Sequence, residues 1–574
     1  MLAKLFTPGP RPQRAWYVGL VISLAFAGWY GYLAMEKGFS AAYVIQDDAR
    51  HYLFWMERFH NGDAFPHDLV ADYLQSIAPV GYKLLYRLGS YVNLAPDWLG
   101  KVLPMVLGLI AAGYYYGLSV AIFPVPVAGA IASVLLSQHL WCNDDVVSAS
   151  PRSFIYPLLI PLLFYLVRGQ RLKSLLFLGL LVLFYPPVGV VATTLYAADA
   201  VDWGALKRQW RTPWTAVHRG RVKFAIAAFT IAALCILPTY VVAHRSFGPV
   251  VTMAQARSIP EFQPSGRHSF FRAGLERYWL VIFGGHGAIL KRTLFTPATL
   301  AGAVLLLPLA GGKMPELRAI SPRIHIFTKL TLVGLGWFAA AYAVAFKLHM
   351  PGRYTSHCIM LAVPILAAIF WTCLLAYVGR RCRRGVLPIA MVVVLVPIFF
   401  YYPLLLKKFP KTLYMTGHEA PIYEYLQRQP PDTLVASLDY EVDNIPSFAK
   451  RSVLMAPEYA TPFHLGYYRQ IRQRANDLLQ AHYTDDVETL SNFTDAYDID
   501  FWLVAKGAFA PDYLAQHRYW ANNYPDVIPT VVETMGLGPG LLQTNLGRCT
   551  AVETQRLWLV NSRCLLSPPI SASN

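Results

Sequence analysis

The sequence predicts a polytopic α-helical membrane protein of roughly eleven transmembrane helices with a C-terminal external α/β domain. Three observations carry this. Of 574 residues, 55% are hydrophobic and 14% charged, with a mean hydropathy of +0.37, too apolar for a soluble chain of ordinary surface-to-volume ratio. The apolar runs are long rather than alternating, which selects helices over barrel strands, because lipid leaves no partner for an open backbone. Finally, basic residues gather in every second loop.

The first run, 15–34, follows Lys4, Arg11 and Arg14. Its apolar part is about twenty residues, longer than a signal-peptide core, and no small-residue cleavage site follows cleanly, so it reads as a retained span with a cytoplasmic N-terminus. Residues 36–98 then form a large first external loop. Within it, 45–59 read Ile-Gln-Asp-Asp-Ala-Arg-His-Tyr-Leu-Phe-Trp-Met-Glu-Arg-Phe. Asp47 and Asp48 stand where a helix is capped, and Tyr52, Trp55, Met56 and Phe59 recur at the spacing of one helix face. The pattern predicts an amphipathic helix on a membrane surface with a carboxylate pair at its start. A turn region at 66–72 and a second amphipathic piece at 77–92 follow.

Further apolar runs lie at roughly 101–123, 125–142, 154–167, 174–185, 187–203, 224–243, 293–311, 326–346, 355–378 and 386–406. Pro186 and Pro187 after Tyr185 mark either a broken hairpin or a kinked helix. With the N-terminus inside, the loops 168–173, 204–223, 312–325 and 379–385 are cytoplasmic. They carry Arg168, Arg171, Arg219, Arg221, Arg323, Arg380 and other cations, as the positive-inside rule requires. Much of the formal charge of +17 is thereby a topology signal, which argues against nucleic-acid binding.

An odd number of spans divides the chain into a transmembrane domain, 1–406, and an external domain, 407–574. The latter has strand-like runs at 433–438, 452–455 and 501–505, separated by helical patterns at 467–482 and 511–520. Cys549 and Cys564 are its only cysteines and predict a disulfide. Cys235, Cys358 and Cys373 fall in spans and Cys382 in a cytoplasmic loop, as buried or reduced thiols. Asp439, Glu441, Asp443 and Asn444 lack the spacing of a calcium-binding loop and read as a solvated turn.

The residues with chemistry fall on the external side. Residues 141–153 read Trp-Cys-Asn-Asp-Asp-Val-Val-Ser-Ala-Ser-Pro-Arg-Ser, so Asp144 and Asp145 form a second carboxylate pair at a membrane edge, followed by Arg152. At span ends these acids avoid the cost, at least about 2.5–3.5 kcal/mol, of an ionised group at the bilayer centre. Another external turn, 347–354, holds Lys347, His349 and Arg353. A guanidinium there suits a phosphate bound by paired hydrogen bonds, with Lys347 and His349 as weaker aids. The loop 244–292, with Arg257, Arg267, His268 and Arg272, is placed to cover an active cavity, although most of these residues read as ordinary loop residues.

With acids in the first external loop beside an amphipathic helix, a second acidic motif in the next and a soluble tail, the layout resembles the GT-C superfamily of membrane glycosyltransferases. The likeness is specific at Asp47-Asp48, more loosely at Asp144-Asp145 and at the position of Arg353. It implies transfer of a hexose or pentose from a polyprenyl-phosphate donor to a glycan, lipid or protein acceptor. Asp47 or Asp48 would be the base, and Arg353, Arg152, Lys347 and His349 would bind the donor phosphate. Asp144 and Asp145 would be candidate ligands for Mg²⁺ or Mn²⁺. No Trp-Trp-Asp motif stands in the tail, which disfavours transfer to asparagine in proteins. The implied location is a bacterial inner membrane. A transporter should show internal repeats, which are absent here; a noncatalytic scaffold leaves both aspartate pairs without purpose.

Overall fold

The computed structural model describes residues 6–8, 13–201, 219–271, 281–284, 287–309, 314–344, 346–348, 350–381, 386–406 and 414–567. The chain is an integral membrane protein. Helix α1 (Gln13–Gly38) buries a stripe of mostly small residues, Gly19, Ser23, Ala27, Gly31 and Ala34, against a later long helix. A Cβ at Gly31 would meet Met105, including its backbone Cα, within 2.9 Å, so the close approach requires glycine. The opposite face is left bare: Val18, Val21 and Tyr32 are more than half exposed, as suits a surface facing lipid. Among the described residues five helices are long and apolar enough to cross a membrane, and three shorter apolar helices accompany them.

After α1 come strand β1 (Val44–Gln46), helix α2 (Asp47–Leu53), a 3₁₀ turn (Phe54–Phe59), α3 (Leu69–Ile77) and α4 (Val80–Tyr91). The apolar helices follow as α5 (Pro96–Ile122), α6 (Pro126–Cys142), α7 (Ile155–Val167), α8 (Arg171–Phe184), α9 (Pro186–Ala200) and α10 (Arg219–Phe247). Tyr185, at φ −147° and ψ 82°, separates α8 from α9, and Gly189 packs onto Val182. The proline pair therefore makes two helices folded back on each other, since proline starts a helix well and removes the hydrogen bond that would carry the preceding helix on. Next are β2 (Val281–Gly284), β3 (Ala288–Lys291), α11 (Gly302–Leu309), α12 (His325–Ala343), α13 (Gly352–Met360), α14 (Val363–Arg381) and α15 (Val386–Phe400).

The segment 45–59 corrects the sequence reading. It does not lie on a membrane surface: Phe54, Trp55 and Met56 are fully buried, and the α-helix ends at Leu53. The apolar face is covered by protein. Phe54 packs on Tyr459 at 5.3 Å between ring centroids, and Tyr73 of α3 stacks on Tyr467 at 3.7 Å. One continuous core thus joins the spans to the C-terminal part.

That part contains a five-stranded sheet in the order β6-β5-β7-β9-β8, with β5 (Leu434–Ser437), β6 (Ser452–Val453) and β7 (Phe501–Ala505) parallel. The strands β8 (Thr550–Glu553) and β9 (Leu557–Asn561) run antiparallel. Helix α16 (Leu465–Tyr483) lies among the elements between β6 and β7. A disulfide joins Cys549 to Cys564 with Cα atoms 5.4 Å apart. Strand β4 (Tyr414–Thr416) pairs antiparallel with β1, Gln46 opposite Tyr414, so the domain begins by holding the segment that leads into α2. The 439–444 segment is likewise not a solvated turn. Glu441, Asp443 and Asn444 are buried at the carboxyl end of β5, where open α/β sheets present their functional loops.

Candidate active site

Asp47 and Asp48 form the first turn of α2, where the helix dipole favours negative charge. The cap is Gln46, not either aspartate: its Oε1 accepts the backbone N–H of Ala49 at 3.1 Å. Its Nε2 donates to Asp144 Oδ2 at 2.8 Å. One side chain therefore ties the two aspartate motifs together, although they are far apart in sequence.

The two carboxylates then face different partners. Asp47 Oδ1 accepts from Arg50 Nη2 at 2.5 Å. Arg50 is almost fully buried and donates through Nη1 to Asn444 Oδ1 at 2.8 Å, with Glu458 Oε2 3.5 Å from Nη2. Glu458 also takes Arg267 Nη2 at 2.6 Å, and its backbone N–H donates to Asp443 Oδ1 at 2.8 Å. Burial and the nearby Glu458 charge raise the Asp47 carboxyl above the ordinary carboxylate range.

Asp48, the more exposed of the pair, accepts from Arg152 Nη2 at 2.5 Å. The same guanidinium nitrogen donates to the backbone oxygen of Asp144 at 2.9 Å. Asp144 has a positive φ of 61°, a conformation that aspartate tolerates better than most residues. Asp145, fully buried, accepts from Lys291 Nζ at 2.8 Å. Burial would raise the Asp145 carboxyl, but Lys291, His357 and Arg152 more than offset this and hold it low. Arg353, at the start of α13, donates through Nη1 to the Tyr185 hydroxyl at 2.7 Å. It has no carboxylate partner among the described residues, and its Nε is buried without a hydrogen bond. Tyr52 of α2 feels Arg353, Asp48, Tyr185 and Arg152 together, and burial pushes its hydroxyl up to about 12.

The structure thus gathers Asp47, Asp48, Asp144, Asp145, Arg152 and Arg353 from separate loops. Lys347 is exposed and makes no ion pair among the described residues; His349 lies outside them. Sequence reasoning missed Gln46, Arg50, Lys291, Asn444 and Glu458. Arg50 carries a signal in its i,i+3 spacing from Asp47, and Arg267 stands in the loop 244–292 that the sequence offers as a cover for the cavity. The others are recruited across the fold by contacts no local pattern announces.

For the divalent-metal reading, Asp144 and Asp145 supply part of a ligand set. Asp144 Oδ2 accepts from an amide and Asp145 Oδ1 from an ammonium group, while Asp144 Oδ1 and Asp145 Oδ2 are buried without a hydrogen-bond partner. Among the described residues no three His, Cys, Asp or Glu side chains converge as metal ligands, whereas hard cations need several oxygens.

Burial, reinforced by the charges of Asp48, Asp145 and Asp47, pushes the Asp144 carboxyl up to about 8 against the pull of Arg152. The folded state therefore holds a proton that the unfolded chain releases near pH 4, and stability is lost as pH rises from that value through 8. Asp144→Asn is expected to flatten this dependence, with a gain in thermal midpoint over the parent that grows from pH 5 to pH 8.5. Parallel melting curves for the two proteins would refute it.

No family profile matches the chain, and no curated relative does. Solved structures do. An oligosaccharyltransferase from Archaeoglobus fulgidus, tethered to an acceptor peptide, aligns at TM-score 0.52 and 12% identity over 90% of this chain and 72% of its own. ArnT from Cupriavidus metallidurans, bound to undecaprenyl phosphate, aligns at 0.50 and 15% over 96% and 99%. The chain has the GT-C fold. In this fold the two aspartate motifs lie where the first loop meets the loop after α6 and the C-terminal domain.

Proposed function

We propose that the protein is a membrane glycosyltransferase moving a sugar from a polyprenyl-phosphate donor to an acceptor hydroxyl, at a site facing the non-cytoplasmic side. One observation carries the reading. Arg353 is a partly buried guanidinium without a carboxylate partner among the described residues, linked through Tyr52, which interacts with both Arg353 and Asp48, to a carboxylate pair on a helix start. Such a cation is set for a phosphate, and such a carboxylate for a proton. The fold likeness to ArnT with undecaprenyl phosphate bound supports the choice of donor.

In this reaction the bond between the sugar anomeric carbon and the phosphate oxygen breaks, and the acceptor oxygen bonds to that carbon. The acceptor proton goes to Asp47, whose raised basicity and outlook toward the C-terminal domain suit a substrate arriving from that side. The departing phosphate keeps the bonding electrons and is held by Arg353, with Arg152 fixed by Asp48 beside it. Charge stabilisation of this kind acts most strongly where water is excluded. The sequence supports the side assignment: loops with excess cations meet at the other end of the helices, as where Arg380 pairs with Glu316.

The test is to reconstitute the chain with polyprenyl-phosphate hexoses and pentoses and follow release of polyprenyl phosphate. Arg353→Gln is expected to lower kcat/KM by about 10²–10³-fold, the usual loss when one stabiliser of developing charge is removed. No turnover by the parent with any such donor, or equal turnover by the variant, would remove the assignment.

A further inference from the structure

At the end of the helices opposite the candidate active site, a cavity of about 310 Å³ opens between α7, α8, α10 and α12. Its position follows from α7. Arg152 stands just before this helix at the carboxylate site and Arg168 just after it at the cavity, about 24 Å apart at 1.5 Å per residue. The floor is Asp199, at the end of α9. Three cations share that single carboxylate: Arg171 at 3.1 Å, Lys329 at 3.2 Å and Arg221 at 3.6 Å. Two more, Arg168 and Arg323, line the same cavity, are exposed, and form no ion pair among the described residues.

Among the described residues, five cations gather around one acid in this cavity, an excess of four positive charges. Topology alone requires cations somewhere in these loops, not that residues from separate loops converge on one cavity. The surroundings indicate what completes it. Leu172 and Leu176 run along α8 from Arg171, 76% and 63% exposed, and Ile226 and Phe229 run along α10 from Arg221, also exposed. The two helices pack together, with Gly179 against Ile231. A polar, cationic cavity thus continues directly into an apolar, lipid-facing surface.

We propose that this cavity binds the phosphate group of an anionic phospholipid in the cytoplasmic leaflet, the acyl chains lying along α8 and α10. Guanidinium groups meet phosphate oxygens in paired, charge-assisted hydrogen bonds, and basic cavities between membrane helices on this side suit anionic headgroups. Arg168 and Arg323 reach the phosphate from the mouth, while the Asp199 cluster forms the base.

Phosphatidylglycerol is titrated into the detergent-solubilised full chain and its retention read by native mass spectrometry, with inorganic phosphate as a second arm. The Arg168→Gln/Arg323→Gln double variant leaves the Asp199 cluster intact. It is expected to bind phosphatidylglycerol at least roughly tenfold more weakly, having lost two charge-assisted contacts, while phosphatidylcholine retention does not change. The corresponding double lysine variant should keep most of the affinity. If inorganic phosphate binds as tightly as the lipid and is weakened alike, the site stands as a phosphate site but the lipid assignment is overturned. Equal phosphatidylglycerol binding by parent and double glutamine variant overturns the site. Should the double variant not fold, each single variant is expected to lose part of the affinity, and unchanged binding in both singles overturns it as well.

Discussion

Asp47→Asn is expected to reduce sugar transfer by about 10²–10⁴-fold, the range a positioned proton acceptor contributes. The fold should survive, because an asparagine oxygen still accepts from Arg50 and the contacts of Arg50 to Asn444 and Glu458 remain. Equal thermal midpoints with a large loss of kcat would separate chemistry from folding. Asp48→Asn should act differently, through the position of Arg152, and so raise KM for the donor more than it lowers kcat. The pH profile gives a second check. Asp47 is raised by burial and by Glu458, so the acidic limb of the rate profile should lie above that of an ordinary carboxylate. Glu458→Gln removes a neighbouring negative charge and should move that limb to lower pH. If Asp47→Asn transfers sugar like the parent, another group is the base.

Arg50→Ala is expected to carry the largest stability loss, about 3–5 kcal/mol, because removing one member of a buried charge cluster strands the others. Arg50 is 5% exposed and Glu458 15%, and Asp443, which burial and Glu458 push up to about 7, lies behind them. The loss should appear as a lowered thermal midpoint, and should be smaller in Arg50→Ala/Glu458→Ala, where two opposite charges leave together. A double variant as unstable as the sum of the single ones would mean that Arg50 and Glu458 are not coupled. The same contacts give the C-terminal domain a share in the site. Its residues hold Arg50, and Arg50 holds Asp47, so a substrate admitted from that side would meet a carboxylate the domain itself has positioned.

The fold was legible to the extent that it follows from local composition. The apolar runs at 101–123 and 125–142 match α5 and α6 within a few residues, and β7 coincides with the run 501–505. Strands β1, β4, β8 and β9 were not visible, because short strands are defined by a partner that the sequence places elsewhere. The segment 45–59 shows the limit most clearly. An apolar helix face announces that it will be covered, but not by what; here the cover is protein, with Tyr459 over Phe54.

Sequence alone determined the membrane class, because hydrophobicity and segment length are properties of contiguous residues. It also marked the acids and arginines that form the candidate site, because charges next to apolar spans are costly and therefore conspicuous. Only the tertiary structure decided which of them meet. Gln46 bridging to Asp144, Lys291 reaching Asp145, Arg50 held by Asn444 and Glu458, and five cations closing around Asp199 all depend on distances across the fold. Electrostatic and hydrogen-bond energies depend on separations of a few ångströms in space, and spacing along the chain does not encode these.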